Sequence, residues 1–196
     1  MKDKRLNVRD LVNIGLFSIL IFITTFVAGM IGFIPTLIPF TTFVTGIVSG
    51  PVYMLYFTKI KKPGMIFIST IILCLAFMAT GHGIWVLATG VVGGILGELI
   101  LKKGEFKSIK SARIAFTAQS LYTAGNWIPI YLARDAYIKQ MIDMGYGEEF
   151  TQKMMSFLPS WSFIPLVLLG MLGMFIGCTI GIKILKKHFE KAELMW

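Results

Sequence analysis

The feature that most restricts this chain is the order in which apolar runs and basic residues alternate. Apolar stretches cover about Leu11–Met30, Leu37–Phe57, Gly64–Gly81, Trp85–Leu101, Ala112–Ala133 and Ser162–Ile184. Drawn as six membrane crossings, they put sixteen of the nineteen Lys and Arg on one side. These precede the first stretch (Lys2, Lys4, Arg5, Arg9), follow the second (Lys59, Lys61, Lys62), follow the fourth (Lys102, Lys103, Lys107, Lys110, Arg113) and end the sixth (Lys183, Lys186, Lys187, Lys191). Arg134, Lys139 and Lys153 fall on the other side. Cytoplasmic loops are enriched in Lys and Arg, so both termini are expected in the cytoplasm. The expected fold is all-α, a six-transmembrane-helix bundle forming one domain over residues 1–196 of a multi-pass protein of the bacterial inner (cell) membrane.

Composition agrees. A chain that is 56% hydrophobic, with a mean hydropathy of +0.76, is too apolar for an ordinary soluble domain. Crossing the hydrocarbon takes about 20 helical residues, which the third and fourth stretches fall slightly short of. A net charge of +9 would suggest nucleic acid in a soluble chain, but the one-sided distribution accounts for it, and no nucleic-acid partner is expected. The basic N-terminus and first apolar run mimic a signal peptide. The run exceeds a signal h-region, lacks a small-x-small site and is followed by five more stretches, so it is expected to stay as the first helix. Cys74 and Cys178 both lie inside apolar stretches, which indicates neither a disulfide nor a metal site.

The longest stretch between spans is 134–161, expected outside the membrane. Its apolar positions (Tyr137, Met141, Met144, then Phe150, Met154, Phe157) recur at helical spacing, and Gly145 and Gly147 break it into two short amphipathic helices. It reads either as an interfacial helix pair or as a lid over an external cavity. Small residues repeat every four positions at Gly46/Gly50, at Gly90/Gly94 and Gly93/Gly97, and at Gly173/Gly177/Gly181. Such faces let membrane helices approach closely, within one bundle or between subunits.

The fifth stretch is the most polar. Treated as a continuous α-helix, it puts Gln119, Thr123 and Asn126 on one face, flanked by Tyr122 and Trp127. Intramembrane amides are costly unless paired, so this face is expected inside the bundle, either bonding helices together or lining a ligand pocket. His82, between Gly81 and Gly83, is expected near the cavity mouth, with Trp85 and Trp161 at the aromatic belt. Glu98, the only acidic residue well inside a span, precedes Lys102 by four residues, the favourable order for an i,i+4 ion pair. The chain has no phosphate-binding GxxxxGK[ST] loop and no HExxH. Gly46–Gly50 resembles an intramembrane protease box only faintly, its serine misplaced for GxSxG. No catalytic residue is assigned, and the chain is not expected to be an enzyme.

Four features together carry a family resemblance: the length with six spans, the opening Arg9–Ser18 (RDLVNIGLFS), the Gly81-His82-Gly83 turn and the glycine-rich fourth helix. On these the chain resembles the substrate-binding S components of energy-coupling-factor (ECF) transporters, most closely the MptD-like (Trep_Strep) group. The resemblance implies a six-helix bundle that captures a vitamin-like or other small micronutrient from outside, gated by the first and third external loops. It implies as partners a transmembrane T subunit and two ATPases that hydrolyse the ATP, this chain itself holding no cofactor. The family docks its T subunit through small residues on the first helix; here Gly15 and Ser18 are the candidates, although they are three rather than four residues apart.

The expected substrate-binding residues are therefore Gln119, Tyr122, Asn126, Trp127 and His82, with Ile31–Thr36 and Gly81–Trp85 as gates and Arg134 placed to meet an anionic group. Few charges lie near this cavity, so the solute is expected to be a neutral or singly charged heterocycle. The rival readings are a stand-alone ion-coupled secondary transporter using Glu98 as proton site and, further off, an integral-membrane enzyme.

Overall fold

The computed structural model describes residues 5–189; Lys2, Lys4 and Lys191 lie outside that range. Among the described residues every regular element is a helix, with no strand. The α-helices are α1 (Val8–Gly29), α2 (Thr41–Lys59), α3 (Met65–Ala79), α4 (Trp85–Lys103), α5 (Ile109–Gln119), α6 (Ile128–Leu132), α7 (Arg134–Asp143), α8 (Glu148–Ser156) and α9 (Phe163–Phe189). Segments of 3-10 helix occupy Met30–Phe33, Pro35–Phe40, Ser120–Asn126 and Ser160–Ser162.

Four runs are long and apolar enough to cross a membrane: Val8–Phe33, Pro35–Lys59, Trp85–Lys103 and Ser160–Lys187. Their outward faces suit lipid. Val12, Leu16, Ile23 and Val27 on α1, and Ile164, Leu168 and Leu172 on α9, are half to two-thirds exposed. Apolar rows of this extent would be untenable in water.

The other two expected spans differ. α3 has only 15 residues. The fifth stretch is not one helix: α5 stops at Gln119 and continues as 3-10 helix to Asn126 before α6. Pro129, just inside α6, has no N–H, and its ring crowds the carbonyl four residues back. Upstream, the hydroxyls of Ser120 and Thr123 each donate to the carbonyl three residues earlier (2.7 and 2.8 Å), competing with regular α-helical bonding. Both favour the tighter winding of the 3-10 turn.

The glycine faces pack within the chain. A Cβ on Gly50 would strike the backbone of Gly177 and Cys178, and one on Gly177 the backbone of Gly46 and Ile47, so α2 and α9 meet backbone to backbone. Gly90 and Gly94 face Cys74 and Thr70 of α3, while Gly93 and Gly97 rest on carbonyls of α5.

Polar ties close one end, called here the basic end. Asn7 and Asp10 form a reciprocal capping box at the start of α1 (2.9 Å each way), and Lys62 of the α2–α3 loop pairs with Asp10 at 2.6 Å. The expected Glu98–Lys102 pair is not formed. The Glu98 carboxylate reaches across to α3 and accepts from the N–H groups of Gly64, Ile66 and Phe67 (2.5, 3.1 and 3.3 Å). α3 begins after a glycine with no capping side chain, and its bare N–H groups and positive dipole end outbid an exposed lysine.

At the opposite end α7 and α8 form a hairpin, broken where Gly145 and Gly147 adopt φ of +89° and +79°. Met154, Met155 and Leu158 cluster there with Ile38, Trp127, Ile130 and Leu166, closing that end of the bundle.

Candidate functional site

Down the middle of the bundle runs a seam of uncharged hydrogen-bonding groups. α2 supplies Thr42, Thr45, Ser49, Tyr53 and Tyr56, all buried and, at about 100° per residue, within about 80° of arc. The 120–126 segment supplies Tyr122 and Thr123, α5 supplies Gln119, and α1 supplies Thr25. Tyr122, 1% exposed, neighbours the side chains of both Tyr53 and Thr25, and its ring lies 5.8 Å from that of Phe77. Tyr53 in turn packs on Phe116, ring centroids 5.1 Å apart.

Gln119 lies midway between Phe116 and Tyr122, three residues from each, so all three share a face toward Tyr53. It is fully buried, and neither its amide oxygen nor its amide nitrogen has a partner. Most buried polar atoms in proteins are paired, since an unmet group costs roughly 1–3 kcal/mol. The seam departs from that rule repeatedly. The Thr42 hydroxyl is also buried without a partner, and those of Thr25 and Tyr53 make no well-formed hydrogen bond although the Tyr122 hydroxyl lies beside both, whereas Thr45, Ser49 and Tyr56 bond to the carbonyls of Thr42, Thr45 and Met65 (3.0, 2.7 and 2.7 Å).

The five expected substrate-binding residues do not form one set. Gln119 and Tyr122 lie at the seam. Trp127 is turned into the cluster of Met154, Met155 and Leu166 at the hairpin end, its indole N–H buried and unpartnered. In 3-10 winding every third residue eclipses, so Asn126 follows Thr123 and Ser120 rather than Gln119. Thr123 borders Thr42 and Gly170, which puts Asn126, whose buried Oδ1 lacks a partner, at the Thr42 end of the seam between α2 and α9 rather than beside Gln119. A face computed at α-helical pitch scrambles across this stretch.

His82 folds back onto α3. Its Nδ1 lies 3.1 Å from the Phe77 carbonyl and 3.1 Å from the Thr80 hydroxyl, and its ring meets Phe77 edge-on at 5.1 Å. Nδ1 thus carries the proton to the carbonyl, leaving Nε2 as the imidazole's other polar atom. Burial pushes the His82 pKa down, with the carbonyl acting in the opposite sense. Through Phe77, which touches both His82 and Tyr122, the turn is coupled to the seam.

The charged side chains that border the seam are engaged by other groups, Glu98 by the start of α3 next to Tyr56. The Arg113 guanidinium sits 4.3 Å over the Phe175 ring and donates to Thr179 on α9 at 3.3 Å. Arg134, expected to meet an anionic group, instead donates to the carbonyls of Met155 and Leu158 (2.8 Å each), which satisfies the end of α8. No cluster of His, Cys, Asp or Glu among the described residues could hold a metal ion.

The two docking candidates diverge. No atom lies within 4 Å of a Cβ placed on Gly15, but Ser18 is fully buried and its hydroxyl bonds Ser69 of α3 at 2.9 Å. A serine in an apolar bilayer takes an internal partner, so Ser18 ties α1 to α3 rather than facing outward. Two hollows, about 420 Å³ beside Ile23 and Val48 and about 520 Å³ beside Leu99 and Lys103, are apolar flanks of the bundle, away from the seam.

Sequence reasoning missed Tyr53, Thr25 and Thr42. The signal was the 3-4-4 spacing of Thr42, Thr45, Ser49 and Tyr53 in an otherwise apolar run. No curated protein and no solved structure matches the chain. One family model matches residues 8–191, that of a hypothetical bacterial integral membrane protein family, Trep_Strep. With lipid-facing apolar helices around a buried polar seam and that match over nearly its whole length, the chain belongs to the Trep_Strep family of bacterial integral membrane proteins.

Proposed function

We propose that this protein is the substrate-binding S component of an ECF-type importer in the bacterial inner membrane. It captures a small micronutrient from outside and delivers it with a T subunit and two ATPases, catalysing no reaction itself. The carrying observation is the seam: uncharged polar groups buried at mid-bundle without partners, an arrangement that costs stability and suits an absent hydrogen-bonding solute. In this reading there are six crossings with both termini cytoplasmic. At about 1.5 Å per α-helical and 2.0 Å per 3-10 residue, the composite run from Ile109 to Leu132 is about 38 Å long if collinear, enough to cross. α3, about 22 Å long, crosses with local thinning of the bilayer. The α7–α8 hairpin is then external and lies over the entrance.

The gradient-driven alternative needs Glu98 as a proton carrier, yet both its carboxylate oxygens are engaged by the start of α3. No observation favours an enzyme. The test is purification of the tagged protein from its native membrane in mild detergent, with partners identified by mass spectrometry. Recovery of a T-type subunit and two ATPases is expected. Repeated isolation of this chain alone, with uptake that survives loss of cellular ATPases, would overturn the reading.

A further inference from the structure

We propose that Gln119, Tyr53 and Thr25 form the polar floor of the solute site, and that the solute is an uncharged planar ring bearing adjacent N–H and C=O groups, that is, a lactam or cyclic urea. The proposal rests on the solute-binding reading above and gives it a place and a chemistry.

A primary carboxamide presents one acceptor and one donor side by side, and its natural complement is a cis-amide, which returns a donor and an acceptor at the same spacing. Gln119 is fully buried with both of those atoms unpartnered, so the pair is available as a unit. The Tyr53 and Thr25 hydroxyls, both beside Tyr122, add two more groups that can donate or accept. Phe116 and Tyr122 flank this trio with aromatic faces, which favours a flat ligand.

Charge selects further. A charged solute brought into this interior would lose its hydration, and the charged side chains bordering it already hold partners. Arg113 stacks on Phe175 and donates from Nη1 to Thr179, its Nε staying buried on the α9 side, and Glu98 is held by α3. A lactam instead loses only hydrogen bonds that the floor returns. Unpartnered polar atoms packed together cost free energy that a matching ligand recovers, and entry requires the Trp127–Met155 cluster at the hairpin end to part.

The experiment uses the full chain purified in detergent, with thermal unfolding as readout. The probes are uracil and hypoxanthine as uncharged lactams, and benzoate and benzamidine as charged rings of similar size. At least one lactam at about a hundred times its dissociation constant is expected to raise the midpoint by several degrees, and neither charged ring to do so. Gln119→Met and Tyr53→Phe, which keep volume and remove unpaired polar atoms, are expected to unfold at or above the wild-type midpoint while losing at least ten-fold in lactam affinity. Absence of a shift with both lactams, a shift with the charged rings, or affinity retained in both variants would overturn the proposal. A lactam shift in a protein that never co-purifies with ATPases would keep the site and remove the importer assignment. Co-purification with ATPases but no lactam shift would do the reverse.

Discussion

α2 carries two adjoining stripes that are built on opposite terms. Along Gly46 and Gly50 it meets α9 so closely that no side-chain atom fits between the backbones. Along Thr42, Ser49 and Tyr53 it faces the 120–126 segment and α1 across side chains whose polar atoms are in part unmatched. The first contact is complete and leaves nothing for a ligand to improve. The second is incomplete, and a solute that completes it gains binding energy from the deficit. One helix thus serves as structural spine on one edge and as receptor on the next.

The largest effect is expected from breaking the complete contact. Gly50→Leu or Gly177→Val forces atoms into opposing backbone, which costs more than about 3 kcal/mol because neither helix can yield without parting from the other. Fluorescence-detected gel filtration is expected to show aggregated or absent protein; a monodisperse peak at wild-type yield would show that α2 and α9 are not so joined.

Next is the cross-helix cap. Glu98→Ala strips three N–H groups of their acceptor and is expected to cost about 1–3 kcal/mol, with Glu98→Gln costing less and Lys102→Ala remaining within about 0.5 kcal/mol. Thermal unfolding of the three variants ranks them, and equal losses from Glu98→Ala and Lys102→Ala would restore the ion pair expected from the sequence.

The hairpin offers a local version of the same test. Arg134→Ala is expected to raise amide exchange over 148–158 by roughly ten-fold, matching about 1.4 kcal/mol of local stability, while leaving α2 and α9 unchanged.

The smallest effect sharpens the contrast at the turn. The folded pKa of His82 lies below its ordinary value near 6.5, so the unfolded chain binds more protons in the window between the two. The stabilisation from neutral His82 is therefore complete above about pH 6.5 and is lost as pH falls toward the folded value. Unfolding midpoints at pH 7.5 and 5.5 are expected to differ less in His82→Asn than in wild type; an unchanged difference would mean that another group titrates.

Much of this molecule was legible as sequence, and the parts that were not share a cause. The glycine repeats announced close packing because their spacing is set by helical pitch, but which helices they join depends on where the chain returns. Gln119 and Tyr122 were legible as buried polar groups. That Gln119 and Asn126 do not share a face was not legible because the run was read at uniform α-helical pitch, and the Pro129 and hydroxyl competition that tightens it acts over only a few residues. Ser18, given a docking role by family resemblance, and Arg134, given an anion by its position beside the fifth stretch, each have a partner on another element, Ser69 and the end of α8.

The sequence by itself determined that this chain lives in a bilayer and which residues must avoid it, because hydropathy and charge are paid residue by residue to the solvent. Only the tertiary structure decided the pairings: Glu98 with α3 rather than Lys102, α9 with α2, and Tyr53 beside Tyr122 in the polar seam. A hydrogen bond needs two groups within about 3 Å, and for residues dozens of positions apart no local rule supplies that distance.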